Sequence, residues 1–348
     1  MEIRSVDVHD DEQLRAWYDV YRACALDERD YPTAWTWPET VAAFRRPDKG
    51  NRRDAVVGEQ SGGTVAASIL VYPLLDNTHA VYAETAVLAQ WRRRGIGTAM
   101  VDDIVQRSRT AGRRTVIAEV VYPFDAAEDH PFRAFARRLG FVEALSDVHR
   151  ILDLPVDDPR IDRLLARATP RHRDYRIVTW LDRCPDEFLE GFGELYSALV
   201  VEAPMGDLEL EEEVWDAERL RENEETRKAQ GRSTFAAAAV ASDGSLAGYT
   251  ELVVPQHDPG QVYQWGTLVR RAHRGHHLGL ALKSVNLRVM QQACPHARVV
   301  HTWNADVNAA MTAVNEAMGF ARSSGWGSSS ASSDRTVLTR NLGAMVWC

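Results

Sequence analysis

The chain has only four cysteines in 348 residues. Cys24, Cys184, Cys294 and Cys348 never stand at a CxxC spacing, so they read as free thiols of a reducing compartment. No apolar run approaches the ~18 residues that a membrane-spanning helix needs, so no membrane partner is expected. The opening MEIRSVDVHDDEQ lacks the basic start and apolar core of a signal peptide, and a cytoplasmic location is expected. Basic charge is also short. The net charge of −9 argues against nucleic acid as a partner. Several motifs are missing altogether. Without a GK pair there is no Walker loop, and without GxSxG or HExxH neither a serine hydrolase nor a zincin is supported.

What is present is ordinary globular composition, 45% hydrophobic and 26% charged, in a length that suits two domains of roughly 100–200 residues. A repeat supports that division. Ile3 lies 174 residues before Ile177, Arg92-Arg93-Arg94-Gly95-Ile96-Gly97 lies 182 before Arg274-Gly275-His276-His277-Leu278-Gly279, and Leu139-Gly140-Phe141 lies 179 before Met318-Gly319-Phe320. One duplicated unit explains three landmarks at nearly one spacing. The expected boundaries are a first domain over 1–154, a proline-bearing linker over 155–173 with a short helix near Ile161 to Arg167, and a second domain over 174–348.

Both halves follow the same order: a strand, two helices, three strand-like runs, a glycine turn opening a long helix, another strand, a short helix and a Gly-Phe pair. Met100, Val101, Ile104 and Val105 give the long helix of the first half an apolar stripe for packing on the sheet. The class is α/β (α+β), with a mixed, mostly antiparallel sheet and helices on both faces in each half.

The glycine turn carries the chemistry. The first amides of a helix have no internal partner and its dipole makes that end electropositive. Small residues let the backbone curl around a pyrophosphate, and nearby arginines add charge-assisted bonds. From Trp91 to Arg114 seven arginines face two aspartates. Gly95-Ile96-Gly97-Thr98-Ala99-Met100 lacks the third glycine of a dinucleotide fingerprint.

These residues resemble the Gcn5-related N-acetyltransferase (GNAT) family, and the tandem resembles its mycothiol synthase-like branch. The family motif Q/R-x-x-G-x-G/A is met in full by Arg92 to Gly97. Arg274 to Gly279 departs once, with His277 at the first glycine. The resemblance implies acetyl-CoA as cofactor. In the first half it implies contacts from Val87, Leu88, Arg92, Arg93, Arg94, Gly95, Ile96, Gly97 and Thr98. In the second it implies Leu268, Val269, Arg274, Gly275, His276, His277, Leu278 and Gly279, with Asn304 and Asn308 near the pantetheine. Asn308 stands twelve residues before Phe320, where many members have asparagine, whereas the first half has Asp129. The tyrosine that many members carry five residues before that Phe is replaced by Ala136 and Asn315.

An amine acceptor must shed a proton before attacking a thioester, which a carboxylate or histidine assists. In-strand Glu84 and Glu119 are candidates in the first half, and Tyr263 and His301 in the second. Glu251 and Asp306 read more simply as ordinary side chains. His273, His276 and His277 have no carboxylate or cysteine at ligand spacing, so no metal is assigned. Ten acidic residues against two arginines between Asp207 and Glu225 point to a cationic acceptor, and Ser323 to Ser333 to a flexible loop over its site.

The expected function is transfer of an acetyl group from acetyl-CoA to a primary amine of a small molecule, by a monomer or homodimer. The alternatives are acetylation of a cysteinyl pseudodisaccharide, as in mycothiol synthase, and a non-catalytic coenzyme A sensor or scaffold. Proton chemistry places the reaction in the first half, whereas the mycothiol synthase resemblance places it in the second.

Overall fold

The computed structural model describes residues 1–27, 31–123, 130–305, 307–322 and 333–341. Asp129, Asp306, Cys348 and most of the Ser323 to Ser333 stretch lie outside them. Two compact units result. The first holds Met1–Asp147, Gly206–Glu209 and Ser324–Cys348, and the second holds Val148–Met205 and Leu210–Ser323.

The first unit begins with β1 (Glu2–Ser5), α1 (Asp11–Leu26) and α2 (Trp37–Arg45). Asp10 caps α1, and Thr36 with Glu39 closes a capping box on α2, so both helix starts are written in the sequence. Three strands follow: β2 (Asn51–Gln60), β3 (Gly63–Pro73) and β4 (Ala80–Val87). Next come α3 (Ile96–Thr110), β5 (Thr115–Pro123) and α4 (Pro131–Arg138). Strand β6 (Val142–Asp153) begins in this unit and ends in the next. Strands β1 to β4 pair antiparallel in order, and β4 pairs parallel with β5. Helices cover both faces. Leu14, Trp17, Tyr18 and Val41 of α1 and α2 pack on Ala55, Val57, Ala67 and Ile69. Ile96, Met100, Ile104 and Val105 of α3 pack on Val56, Ala66, Leu70 and Val81.

The second unit repeats the plan. After β6 come α5 (Asp158–Ala168), β7 (Arg176–Leu181), α6 (Leu189–Glu202) and α7 (Ala217–Ala229). Then follow β8 (Arg232–Val240), β9 (Leu246–Pro255), β10 (Gln261–Val269), α8 (Leu278–Ala293), β11 (Val299–Ala305), α9 (Ala309–Met318) and β12 (Ala321–Arg322). The last strand, β13 (Ser333–Asn341), pairs antiparallel with β5 and so belongs to the first unit. Residues 155–173 do more than link: Ile161, Leu164 and Ala168 of α5 bury one side in the core that α8 shares. Leu, Ile and Ala at that helical spacing give α5 an apolar stripe, which packs against α8 of its own unit.

Candidate active site

In each unit the parallel strand pair parts before it ends. Strands β4 and β5 stay in register from Ala80↔Thr115 to Ala83↔Ala118. Beyond that point β4 keeps β3 as its partner through Val87, and β5 keeps β13 through Pro123. In the second unit β10 and β11 pair from Gln261↔Val299 to Tyr263↔His301. A gap between two diverging strands has unpaired backbone on its walls, which suits an extended amide-bearing chain.

Each gap leads to a helix N-terminus built to one pattern. Arg93 and Gly95 take positive φ in the first turn, as do Gly275 and His277 in the second. Glycine and non-glycine have thus exchanged places between the halves. His277 adopts, at φ 55°, the left-handed conformation that Gly95 takes at φ 81°. The departure from the motif therefore leaves the turn's backbone path intact. A Cβ on Gly95 would meet nothing within 4 Å, so the space above the turn is open. The first capping bond of α3 is Ala99 N–H to Gly95 O, and that of α8 is Ala281 N–H to His277 O. The amides ahead of them are donors for a phosphate.

The motif arginines build this turn. Arg92 Nε donates to Val87 O at 3.0 Å and its guanidinium pairs with Asp27 at 2.7 Å. Arg274 does the same with Val269 O at 3.1 Å and Glu202 at 2.8 Å. Their contacts thus fix the strand-to-helix corner from behind. Arg93, Arg94, Gly275 and His276 are exposed, whereas Ile96 and Leu278 are buried beneath the turn. His276 bonds Arg171 O, and His273 bonds the Tyr175 hydroxyl. Gly97 faces Phe135 of α4, whose ring lies 3.2 Å from where a Cβ would stand; Gly279 has more room. Thr98 is half-buried in the first turn of α3. Leu88 N–H is used by Val65 O, and Leu268 is buried.

The strands ahead of the turns differ. Strand β4 pairs with β3 one to one from Val87↔Ala66 to Tyr82↔Val71. In β10, Gln264 pairs with Leu252 and Thr267 with Thr250, so Trp265 and Gly266 together oppose Glu251. This β-bulge takes an amide out of the ladder, and the Gln264 side chain donates to the Glu251 and Trp265 carbonyls beside it. Gly266 is obligatory there, because a Cβ would overlap the buried Tyr249 hydroxyl. Just past the bulge, the Thr250 and Thr267 hydroxyls meet at 2.8 Å, as do those of Ser68 and Thr85 at 2.9 Å in the first half.

Glu84 and Glu119 are the next residues after the last β4–β5 pair, one on each lip of the first gap. Alternation puts both on the α1–α2 face, where Ile69 opposes Glu84. Both are exposed. In the second half, Tyr263 stacks on His301 at 5.5 Å, but His301 is fully buried. Its Nδ1 meets His149 at 3.0 Å and its Nε2 meets Gln261 at 2.6 Å. Burial lowers its pKa to about 4. A neutral imidazole with both nitrogens engaged places His301 in the core. Asn308 is tied down as well, as the N-cap of α9 accepting from Met311 N–H.

Glu251, passed over in the sequence as ordinary, is the centre of a buried cluster under the bulge. It is 3% exposed, pairs with Arg227 at 2.8 Å and accepts from the Tyr196 hydroxyl. The Arg227 guanidinium lies 4.7 Å from the Trp265 ring. Burial raises the Tyr196 pKa well above its ordinary value, so the phenol keeps its proton. The first-half counterpart of Glu251 is aliphatic Ile69. Part of the acidic stretch is neutralised locally, with Glu224 on Arg221 and Glu213 near Arg219.

The acetyltransferase (GNAT) family model matches residues 14–141 and again 194–320. No curated protein matches the chain in sequence. A solved tandem GNAT protein from the clavulanic acid biosynthesis pathway is 28% identical, with a TM-score of 0.77 over 98% of both chains. A GCN5-related N-acetyltransferase from Sphaerobacter thermophilus shares the fold at 14% identity, with a TM-score of 0.66 over 98% of this chain and 95% of that one. N-myristoyltransferase of Saccharomyces cerevisiae, solved with myristoyl-CoA, shares it at 12% identity and 0.59, over 98% and 80%. With two matches spanning most of its length, each over a diverging strand pair and a helix-capping turn, the chain belongs to the acetyltransferase (GNAT) family, whose enzymes use acyl-CoA, as a tandem of two such domains.

Proposed function

We propose that the chain transfers an acetyl group from acetyl-CoA to a primary amine of a small molecule, and that the second half carries the reaction. The observation that carries this reading is the bulge at Trp265 and Gly266, which lies where β10 leaves β11 and just ahead of the α8 turn. A backbone amide freed at that point can meet the oxyanion that forms when a thioester carbonyl is attacked. The α8 N-terminus would hold the pyrophosphate. The amine nitrogen bonds the acetyl carbon, the C–S bond breaks with its pair on sulfur, the nitrogen loses one proton to water, and the thiolate regains one from water. The Glu251–Arg227–Tyr196 cluster holds the bulge from below; with Tyr196 protonated and Glu251 paired, it serves geometry.

The first half retains the full turn, and acyl-CoA held there would be structural. A small-molecule acceptor is supported by the related tandem protein, which comes from the clavulanic acid biosynthesis pathway. The test is thiol release from acetyl-CoA with a panel of primary amines. Amine-dependent release supports the reading. Tight acetyl-CoA binding with no release for any amine would favour a sensor and contradict it.

A further inference from the structure

Lys283 sits in the core of the second half, 1% exposed on α8. Its Nζ donates to Asn315 Oδ1 at 2.5 Å and lies 5.0 Å from the Phe320 ring. Asn315, fully buried on α9, donates from Nδ2 to Asn304 Oδ1 on β11. No carboxylate compensates the lysine among the described residues, and burial alone lowers its pKa to about 7. An amine kept in such a place is costly, because only an amide oxygen and a ring face meet it when charged.

The first half shows that the fold does not need it. Counting from the helix caps Gly95 and His277, Lys283 corresponds to Val101. Phe141 N–H bonds Ala136 O just as Phe320 N–H bonds Asn315 O, so Asn315 corresponds to Ala136. The β4–β5 and β10–β11 registers match Asn304 to Val120. Val101, Ala136 and Val120 all belong to, or pack on, an apolar core. Three aliphatic residues in one half are thus three linked polar residues in the other.

The contacts give the chain its direction. Asn315 turns its oxygen to Lys283 and its nitrogen to Asn304. Asn304 must then turn its oxygen to Asn315, which leaves its own Nδ2 pointing away, with no protein acceptor among the described residues. Asn304 is the third residue beyond the last β10–β11 pair and alternates with Val300 onto the α8 face. The chain therefore ends at the wall of the second gap with two unused donors.

We propose that Lys283 and Asn315 are positioning residues that clamp the Asn304 amide as a donor to the sulfur of acyl-CoA, where charge gathers as the C–S bond breaks. This rests on the second-half reading above. No proton moves along the chain; each donor keeps its hydrogen.

The test compares coenzyme A with desulfo-coenzyme A by calorimetry at pH 8, in a Gly95→Asp background that disables the first turn. The parent should prefer the thiol ligand by about tenfold, as for a hydrogen bond to a charged group. Lys283→Met should bring the two within about twofold while leaving desulfo-coenzyme A affinity unchanged, and Asn304→Ala should abolish the same preference. A purely structural lysine would move both affinities together. An unchanged preference in both variants overturns the clamp while the acyl-CoA reading stands. Binding of neither ligand to the parent overturns both.

Discussion

The two halves share a frame and differ in what fills it. The paired hydroxyls, the arginines behind the turns and the left-handed N-caps recur at matching places. The first half sets Ile69, Val101, Ala136 and Val120 where the second sets Glu251, Lys283, Asn315 and Asn304. It also keeps a regular β4 where the second has a bulge. Buried polar networks carry a desolvation cost that aliphatic packing avoids. A frame that folds with the aliphatic set shows that the polar set is there for something other than folding.

Four predictions could break or sharpen that contrast. The largest effect should come from Arg227→Met, which leaves Glu251 buried without its cation. A loss of about 3–5 kcal/mol in denaturant unfolding is expected. A change below 1 kcal/mol would mean that Glu251 is not left as an uncompensated buried charge.

Lys283→Met combined with Asn315→Leu, which removes the buried amine together with its buried partner, should act in the opposite direction and stabilise by about 1–4 kcal/mol at neutral pH. Its sign with pH is fixed. Between about 7 and the ordinary 10.5 the unfolded chain holds the lysine proton and the folded chain does not, so wild-type stability rises with pH across that window. The advantage of the double variant should therefore be largest below pH 7 and shrink from pH 7 to 9. An advantage constant with pH would show that the lysine is not held neutral.

A smaller effect concerns the acceptor. If the surplus of acid from Asp207 to Glu225 draws a cationic amine, kcat/KM should fall a few-fold as salt rises past ~0.1 M, where the Debye length is ~10 Å. A flat salt profile would reject the attraction.

The smallest effect is expected of Glu84→Gln combined with Glu119→Gln, with acetyl transfer within about threefold of wild type. A collapse of ~10²-fold, as for loss of a general base, would return the reaction to the first half.

Much of this frame was legible in the sequence because it rests on local chemistry. The glycine turns and the apolar stripe of α3 act within a few residues of themselves. The bulge was not legible, since it exists only in the register between β9 and β10. The Glu251–Arg227–Tyr196 cluster draws on three elements far apart in the chain. Arg92 and Arg274 were readable as belonging to the turn, but their partners, Asp27 and Glu202, come from the ends of α1 and α6 and decide that they brace it. The Lys283 chain left one trace. Leu280, Lys283, Leu287 and Met290 fall on a single helical stripe, all buried, and a lysine in the middle of an apolar stripe is a signal for a buried amine. Its partners could not be found that way.

The central claim is that the second half reacts, and the most direct test is a matched pair at the two N-caps. Gly95→Asp and His277→Asp each put a carboxylate at a left-handed position that aspartate tolerates, where it repels the pyrophosphate. With saturating amine and sub-saturating acetyl-CoA, His277→Asp should cut acetyl transfer by more than about tenfold, since the new carboxylate repels the pyrophosphate at the α8 N-terminus. Gly95→Asp should change it by less than about threefold. The opposite pattern, with the rate lost in Gly95→Asp and kept in His277→Asp, would contradict the account.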